Sequence, residues 1–114
     1  LGASANPERY SHRAVAQLKA NGHAVFPVHP SAREILGISV WTSLPDIPAP
    51  LHTVTVYLSA EKSAALVDDF LRSRPQRVIL NPGAENPRLA TSLRRHGIEV
   101  IEACTLVLLA SGQF

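Results

Sequence analysis

Thr53-Val54-Thr55-Val56-Tyr57-Leu58, then Ala64, Val67, Phe70 and Leu71 within 60–73, then Arg77-Val78-Ile79-Leu80: this stretch decides the fold. Its first run is β-branched and aromatic throughout, which marks a strand. Ser59 is placed to cap a helix, and the apolar spacing over 60–73 gives that helix a wide buried face, ended by Pro75. The second apolar run is again a strand. Strand, crossover helix and strand form the connection that parallel neighbours require.

The pattern continues toward the C-terminus. Asn81-Pro82-Gly83 leads to a helix start at Asn86-Pro87, and that helix carries Leu89, Ala90 and Leu93 and stops at Gly97. Residues 98–101 are a last strand and 104–110 a last helix. Toward the N-terminus, Asn6 before Pro7, with Glu8 in the first turn, predicts a helix over 7–21 ended by Asn21-Gly22. Ala24–Val28 reads as a short buried strand despite Pro27. Residues 31–52, broken by Pro45, Pro48 and Pro50, are expected to hold a helical turn, a minor strand and a loop. Leu1-Gly2 stands where an apolar strand should be ending, so part of a first strand is expected upstream of Leu1. The class is α/β with a mostly parallel sheet.

The 114 residues are enough for one domain, taken as 1–114. With 46% hydrophobic and 18% charged residues, the composition is that of a globule, and no apolar run approaches the ~18 residues of a membrane span. Eleven basic residues oppose nine acidic ones, and the basic residues are dispersed, which argues against a nucleic-acid surface but suits recognition of a few phosphates. The single cysteine, Cys104, excludes an intramolecular disulfide. No charged-then-apolar leader precedes the first helix, so a cytoplasmic location is expected.

In an open parallel sheet, ligands sit beyond the carboxyl ends of the strands. The loops to inspect are therefore 2–11, 28–33, 57–61 and 80–86. Gly2-Ala3-Ser4-Ala5-Asn6-Pro7 runs into a helix N-terminus, where free amides and the dipole favour an anion, although the same residues also make an ordinary strand-to-helix turn. Arg9, Tyr10, Ser11 and His12 are either donors to that anion or a solvated face. Where nicotinamide sites usually carry a ribose-binding carboxylate, this chain has His29, Pro30, Ser31, Ala32 and Arg33. Those donors suit a phosphorylated ribose, and His29 serves equally as a local cap. Glu61 and Glu85 read as helix-start charges, and Glu85 also as part of the Asn81-Pro82-Gly83-Ala84-Glu85-Asn86 turn. Cys104 is either a thiolate at a helix start, able to exchange with a pantetheine thiol, or a small packed residue. No nucleophile–base set and no metal-ligand spacing is present in the sequence.

Six blocks, taken in order, carry a resemblance. They are Gly2-Ala3-Ser4 with Pro7-Glu8-Arg9-Tyr10-Ser11; Gly22-His23-x-Val25-x-Pro27-Val28; Ser43-Leu44-Pro45-Asp46-Ile47-Pro48; Val54-Thr55-Val56-Tyr57-Leu58; Asn81-Pro82-Gly83-Ala84-Glu85-Asn86; and Glu102-Ala103-Cys104-Thr105-Leu106-Val107-Leu108-Leu109. Together they resemble the small bacterial CoA-binding proteins, which are similar to the CoA-binding domain of the succinyl-CoA synthetase α subunit. The resemblance implies a Rossmann-like open parallel sheet with helices on both faces. It also implies that Gly2, Ala3, Ser4, Pro7, Arg9, Tyr10 and Ser11 hold a diphosphate, that His29 and Pro30 flank the adenosine with Tyr57 and Leu58 as the adjacent wall, and that Pro82 and Gly83 lie on the pantetheine side. Where relatives carry Asn-Pro-Lys, this chain has His29-Pro30-Ser31, which leaves Arg33 as the candidate for the 3′-phosphate.

The expected function is therefore noncovalent binding of coenzyme A or acyl-CoA, without a catalytic group, a metal, nucleic acid or a membrane. The rivals are an NADP-dependent or acyl-transferring enzyme using the same pocket, and an interaction protein that senses CoA.

Overall fold

The computed structural model describes residues 1–114. In chain order it contains α1 (Tyr10–Ala20), a small antiparallel hairpin of β1 (Glu34–Ile35) and β2 (Ile38–Ser39), and a 3-10 turn at Leu44–Asp46. There follow β3 (Thr53–Val56), α2 (Ala60–Ala64), α3 (Val67–Ser73), β4 (Arg77–Leu80), α4 (Pro87–Arg95), β5 (Glu99–Glu102) and α5 (Thr105–Ala110). β3, β4 and β5 form a parallel sheet in that order, with Thr53 opposite Arg77 and Arg77 opposite Glu99. Helices α1 and α5 contact each other, and α3 and α2 pack on α4. The result is the expected α/β, Rossmann-like arrangement.

The core follows from the sheet's alternation. Val54 and Val56 of β3 join Val78 and Leu80 of β4, Phe70 of α3, and Leu89 and Leu93 of α4 in one buried apolar cluster. Phe70 is wholly buried. Val78, Ile79 and Leu80 are all buried, as a central parallel strand covered on both faces requires.

Two further segments extend the sheet beyond β3. The Leu1 amine donates to Thr55 O at 2.9 Å, and Tyr57 N–H donates to Leu1 O at 3.0 Å. On its other side, Gly2 N–H and Ala3 N–H both donate to Val28 O at 3.2 Å. Leu1–Ala3 thus lies between β3 and Val28. Val28 lies beyond the first segment, with Trp41 bridged on its far side, the first segment is next to β3, and the order reverses between the first segment and β3.

Three expectations need correcting. The helix predicted over 7–21 begins only at Tyr10: Asn6 Oδ1 accepts from Glu8 N–H (3.0 Å) and Asn6 O from Arg9 N–H (3.0 Å), so Asn6-Pro7 shape a turn ahead of the helix. Pro7 and Arg9 therefore lie outside α1, with Arg9 at its N-cap in extended conformation. The strand predicted over 24–28 survives only as a parallel bridge between Val28 and Trp41. The helix predicted over 60–73 is broken at Ala65-Leu66. There Leu66 N–H turns back to Ser63 O (3.0 Å), closing α2 before α3 begins, while Asn86 Nδ2 donates to Ala60 O (3.2 Å) and Ser63 Oγ (2.9 Å) and ties α2 to the start of α4.

Other features stand as read. Asn86 caps α4 through Oδ1 and Leu89 N–H (3.1 Å), Ser59 caps α2, and the 31–52 region holds the helical turn and short hairpin strands.

Candidate functional site

The strand order reverses between the loop after Leu1 and the loop after β3, the position where open α/β sheets take ligands. Gly2 brings the two loops together. Its φ of +81° lies in the left-handed region, and a Cβ there would stand 3.0 Å from Leu58 Cδ2 and 3.2 Å from the Tyr57 carbonyl carbon. Only glycine allows so close a crossing without displacement.

The loop from Ala3 to Arg9 is held by its own side chains. Ser4 Oγ accepts from Asn6 N–H at 3.1 Å, and His12 Nδ1 donates to Ser4 O at 2.9 Å, pinning the loop to the first turn of α1. Four amides, those of Ser4 and Ala5 in the loop and of Tyr10 and Ser11 at the start of α1, have no backbone partner in the chain. The expectation that the amides of residues 2–4 face an anion is corrected in part. Gly2 and Ala3 point theirs into the sheet, at Val28 O, and only Ser4 of the three keeps a free N–H. The free amides of this segment are therefore two in the loop and two at the helix start, the latter at the positive end of the α1 dipole.

The remaining predicted residues lie around this edge. His29 Nδ1 accepts from Ser31 N–H (3.0 Å) and Ala32 N–H (2.9 Å), so it carries no proton and the ring presents Nε2–H as its donor. His29 thus shapes the 29–32 turn. Pro30 and Arg33 are exposed beside it. Leu58 packs on Gly2. Pro82 and Gly83 are exposed in the loop after β4, where Gly83 N–H donates to Glu85 Oε1 at 2.9 Å. That amide is occupied, and Glu85 belongs to the turn, the second of its two readings.

Tyr57 behaves differently from a simple wall residue. Its hydroxyl is buried without a hydrogen bond of normal geometry, as is Thr105 Oγ1. Burial pushes the Tyr57 phenol upward; the neighbouring Thr105 hydroxyl opposes that and the Cys104 thiol adds to it. Cys104 is a half-buried free thiol at the N-cap of α5.

Two side chains that shape this edge carried no local signal. Asn81 is buried and bridges two elements, with Nδ2 donating to Val56 O (2.9 Å) and Oδ1 accepting from Thr105 N–H (2.8 Å), so it fixes the start of α5 against the end of β3. Arg13 lies over the Tyr10 ring, 5.4 Å from its centroid, an i,i+3 pair that places a second cation beside the start of α1. No group of three His, Cys, Asp or Glu side chains converges to hold a metal ion, and no helix is long and apolar enough to cross a membrane.

Comparison with known proteins agrees with this geometry. The family model described as a CoA binding domain matches residues 1–110. The chain is 37% identical to an uncharacterised protein of known crystal structure, with a TM-score of 0.93, covering 99% of this chain and 93% of that one. It is 28% identical to the uncharacterised protein YneT of Bacillus subtilis over 101 residues, 89% of this chain and 75% of YneT. The same fold, at 20% identity and a TM-score of 0.77, occurs in the dinucleotide-forming acetyl-coenzyme A synthetase 1 of Ca. Korarchaeum cryptofilum, covering 90% of this chain and 24% of that protein.

Proposed function

The chain belongs to the family of CoA binding domains, and from that premise we propose that it binds coenzyme A or an acyl-CoA noncovalently, as a ligand-binding module without a catalytic step of its own. The observation that carries the reading is the set of unpaired amides of Ser4, Ala5, Tyr10 and Ser11 at the switch in strand order. Aligned amides at a helix start favour a pyrophosphate over a neutral ligand.

On this reading the adenosine lies toward His29 and Pro30. Nε2–H of His29 is its ribose-side donor, and Arg33 meets the 3′-phosphate. The pantetheine arm passes Leu58 toward Pro82-Gly83, ending on the side of Cys104.

Calorimetric titration with CoA, dephospho-CoA and NADPH tests it. Heat is expected with both CoA forms, with CoA the tighter, and Arg33→Ala should bring CoA to the level of dephospho-CoA, a loss of about tenfold. No heat with either CoA form overturns the reading. NADPH binding that CoA does not compete away would favour a nicotinamide-dependent enzyme instead.

A further inference from the structure

Residues 29–33 follow Val28 at the candidate site, and both ends of this segment are anchored by backbone bonds: His29 N–H donates to Trp41 O and Val40 N–H to Arg33 O, each at 3.0 Å. Between the anchors, Pro30, Ser31 and Ala32 make no backbone hydrogen bond. Pro30 has no N–H to give, and the next two amides, of Ser31 and Ala32, both end on one atom, His29 Nδ1, at 3.0 and 2.9 Å. The turn is held by a single imidazole nitrogen. We propose that neutral His29 is the positioning residue of this edge: its Nδ1 fixes the 29–32 turn ahead of Arg33, and protonation there releases the turn and weakens the hold on a 3′-phosphorylated nucleotide. The inference rests on the CoA reading above and adds control by pH to it.

The chemistry is that of an acceptor turned into a donor. Unprotonated Nδ1 offers the lone pair that the two amides share, whereas in the imidazolium both ring nitrogens carry protons. Nδ1–H would then face two N–H groups and accept from neither, so the ring or the turn must move. The Ala32 bond is partly shielded from water, which makes an amide left there without its acceptor costly. Nε2–H is present in both protonation states, so acid leaves the ribose-side donor in place and removes the turn. Turn and ligand together favour the neutral ring. Affinity is therefore highest where His29 is neutral and falls as pH drops through its titration.

The charged groups of the surrounding segments leave this sign intact. On its own segment stand Arg33 and Glu34. The segment paired at Trp41 brings Asp46, whose Oδ2 already accepts from the Thr42 and Ser43 hydroxyls at 2.9 Å each. The loop joined through Val28 O brings Glu8, Arg9 and His12, the last bonded to Ser4 O. None of these hydrogen-bonds the His29 ring, whose side-chain partner is the Ser31 hydroxyl, 3.4 Å from Nδ1.

The test titrates CoA and dephospho-CoA calorimetrically into the native chain and into His29→Asn, at about pH 8 and about pH 5.5. Asn Oδ1 accepts from the same two amides as an Asx turn and does not titrate. Each protein is compared with itself, so the lost Nε2–H donor cancels, and protonation of the 3′-phosphate at about pH 6 is common to both. Between the two pH values the Kd for CoA should rise about tenfold more in the native chain than in His29→Asn, and that for dephospho-CoA by under about threefold more. In the ligand-free native chain, the Ser31 and Ala32 amide resonances should shift with the His29 ring signals while those of Gly2 and Ala3 stay in place. His29→Asn should lack that shift, and His29→Ala should show the released positions already at the higher pH. Equal pH dependence in the native chain and His29→Asn, amides that do not follow the ring, or CoA binding that tightens in acid, as an imidazolium meeting a phosphate would give, each overturns this inference alone. No heat with CoA at the higher pH overturns the CoA reading, and this inference with it.

Discussion

Arg77–Leu80 and Ala24–Val28 are both short, mostly apolar runs that follow a helix and its stop, yet only the first becomes a strand of the sheet. β4 is hydrogen-bonded on both sides, to β3 and β5, and its three apolar residues are buried. Ala24–Val28 touches a neighbour only near Val28, and its first three residues leave their backbone groups unpaired. The difference is one of partners rather than propensity. β-propensity is expressed where a pleated neighbour takes up the run's backbone groups.

The contrast can be broken most forcefully by deletion of a side chain in each region. Phe70, wholly buried against the paired sheet, should cost about 3–5 kcal/mol on Phe70→Ala, whereas half-buried Phe26 should cost under about 1.5 kcal/mol on Phe26→Ala, both read from urea unfolding. Equal losses would mean that the Ala24–Val28 wall is packed as tightly as the central strand.

A smaller effect sharpens the paired side. Asn81→Ala removes two buried hydrogen bonds, to Val56 O and Thr105 N–H, and should cost about 2–3 kcal/mol, with faster amide exchange confined to the start of α5. Loss spread evenly over the sheet would contradict a local bridging role.

These particulars show which parts of the molecule were legible. From β3 to β5 each element carries its own start, period and stop, and Asn86-Pro87 and Ser59 cap as their residue types predict. What escaped the sequence depends on contacts between distant positions. Asn86 ties α2 to the start of the neighbouring α4, and Asn81 looks like any turn residue until its side chain is seen bonded to the start of α5. The candidate site was legible as a set of loops, because chain order and parallel pairing dictate where a crevice opens. Of its four free amides, those of Ser4, Tyr10 and Ser11 fall on residues the resemblance implied, whereas that of Ala5 does not. Gly2 and Ala3 resemble a phosphate loop locally, but Val28 takes both of their amides, and Asn6-Pro7 forms a turn that moves the helix start to Tyr10.

The most direct measurement is amide mapping by heteronuclear NMR during titration with CoA. Ser4, Ala5, Tyr10 and Ser11 should show the largest shifts, with Arg33 following for CoA but not for dephospho-CoA, while Gly2 and Ala3 remain bonded to Val28 and move little. Shifts concentrated on Ala24–Phe26 and Thr53, or none at the start of α1, would contradict the account.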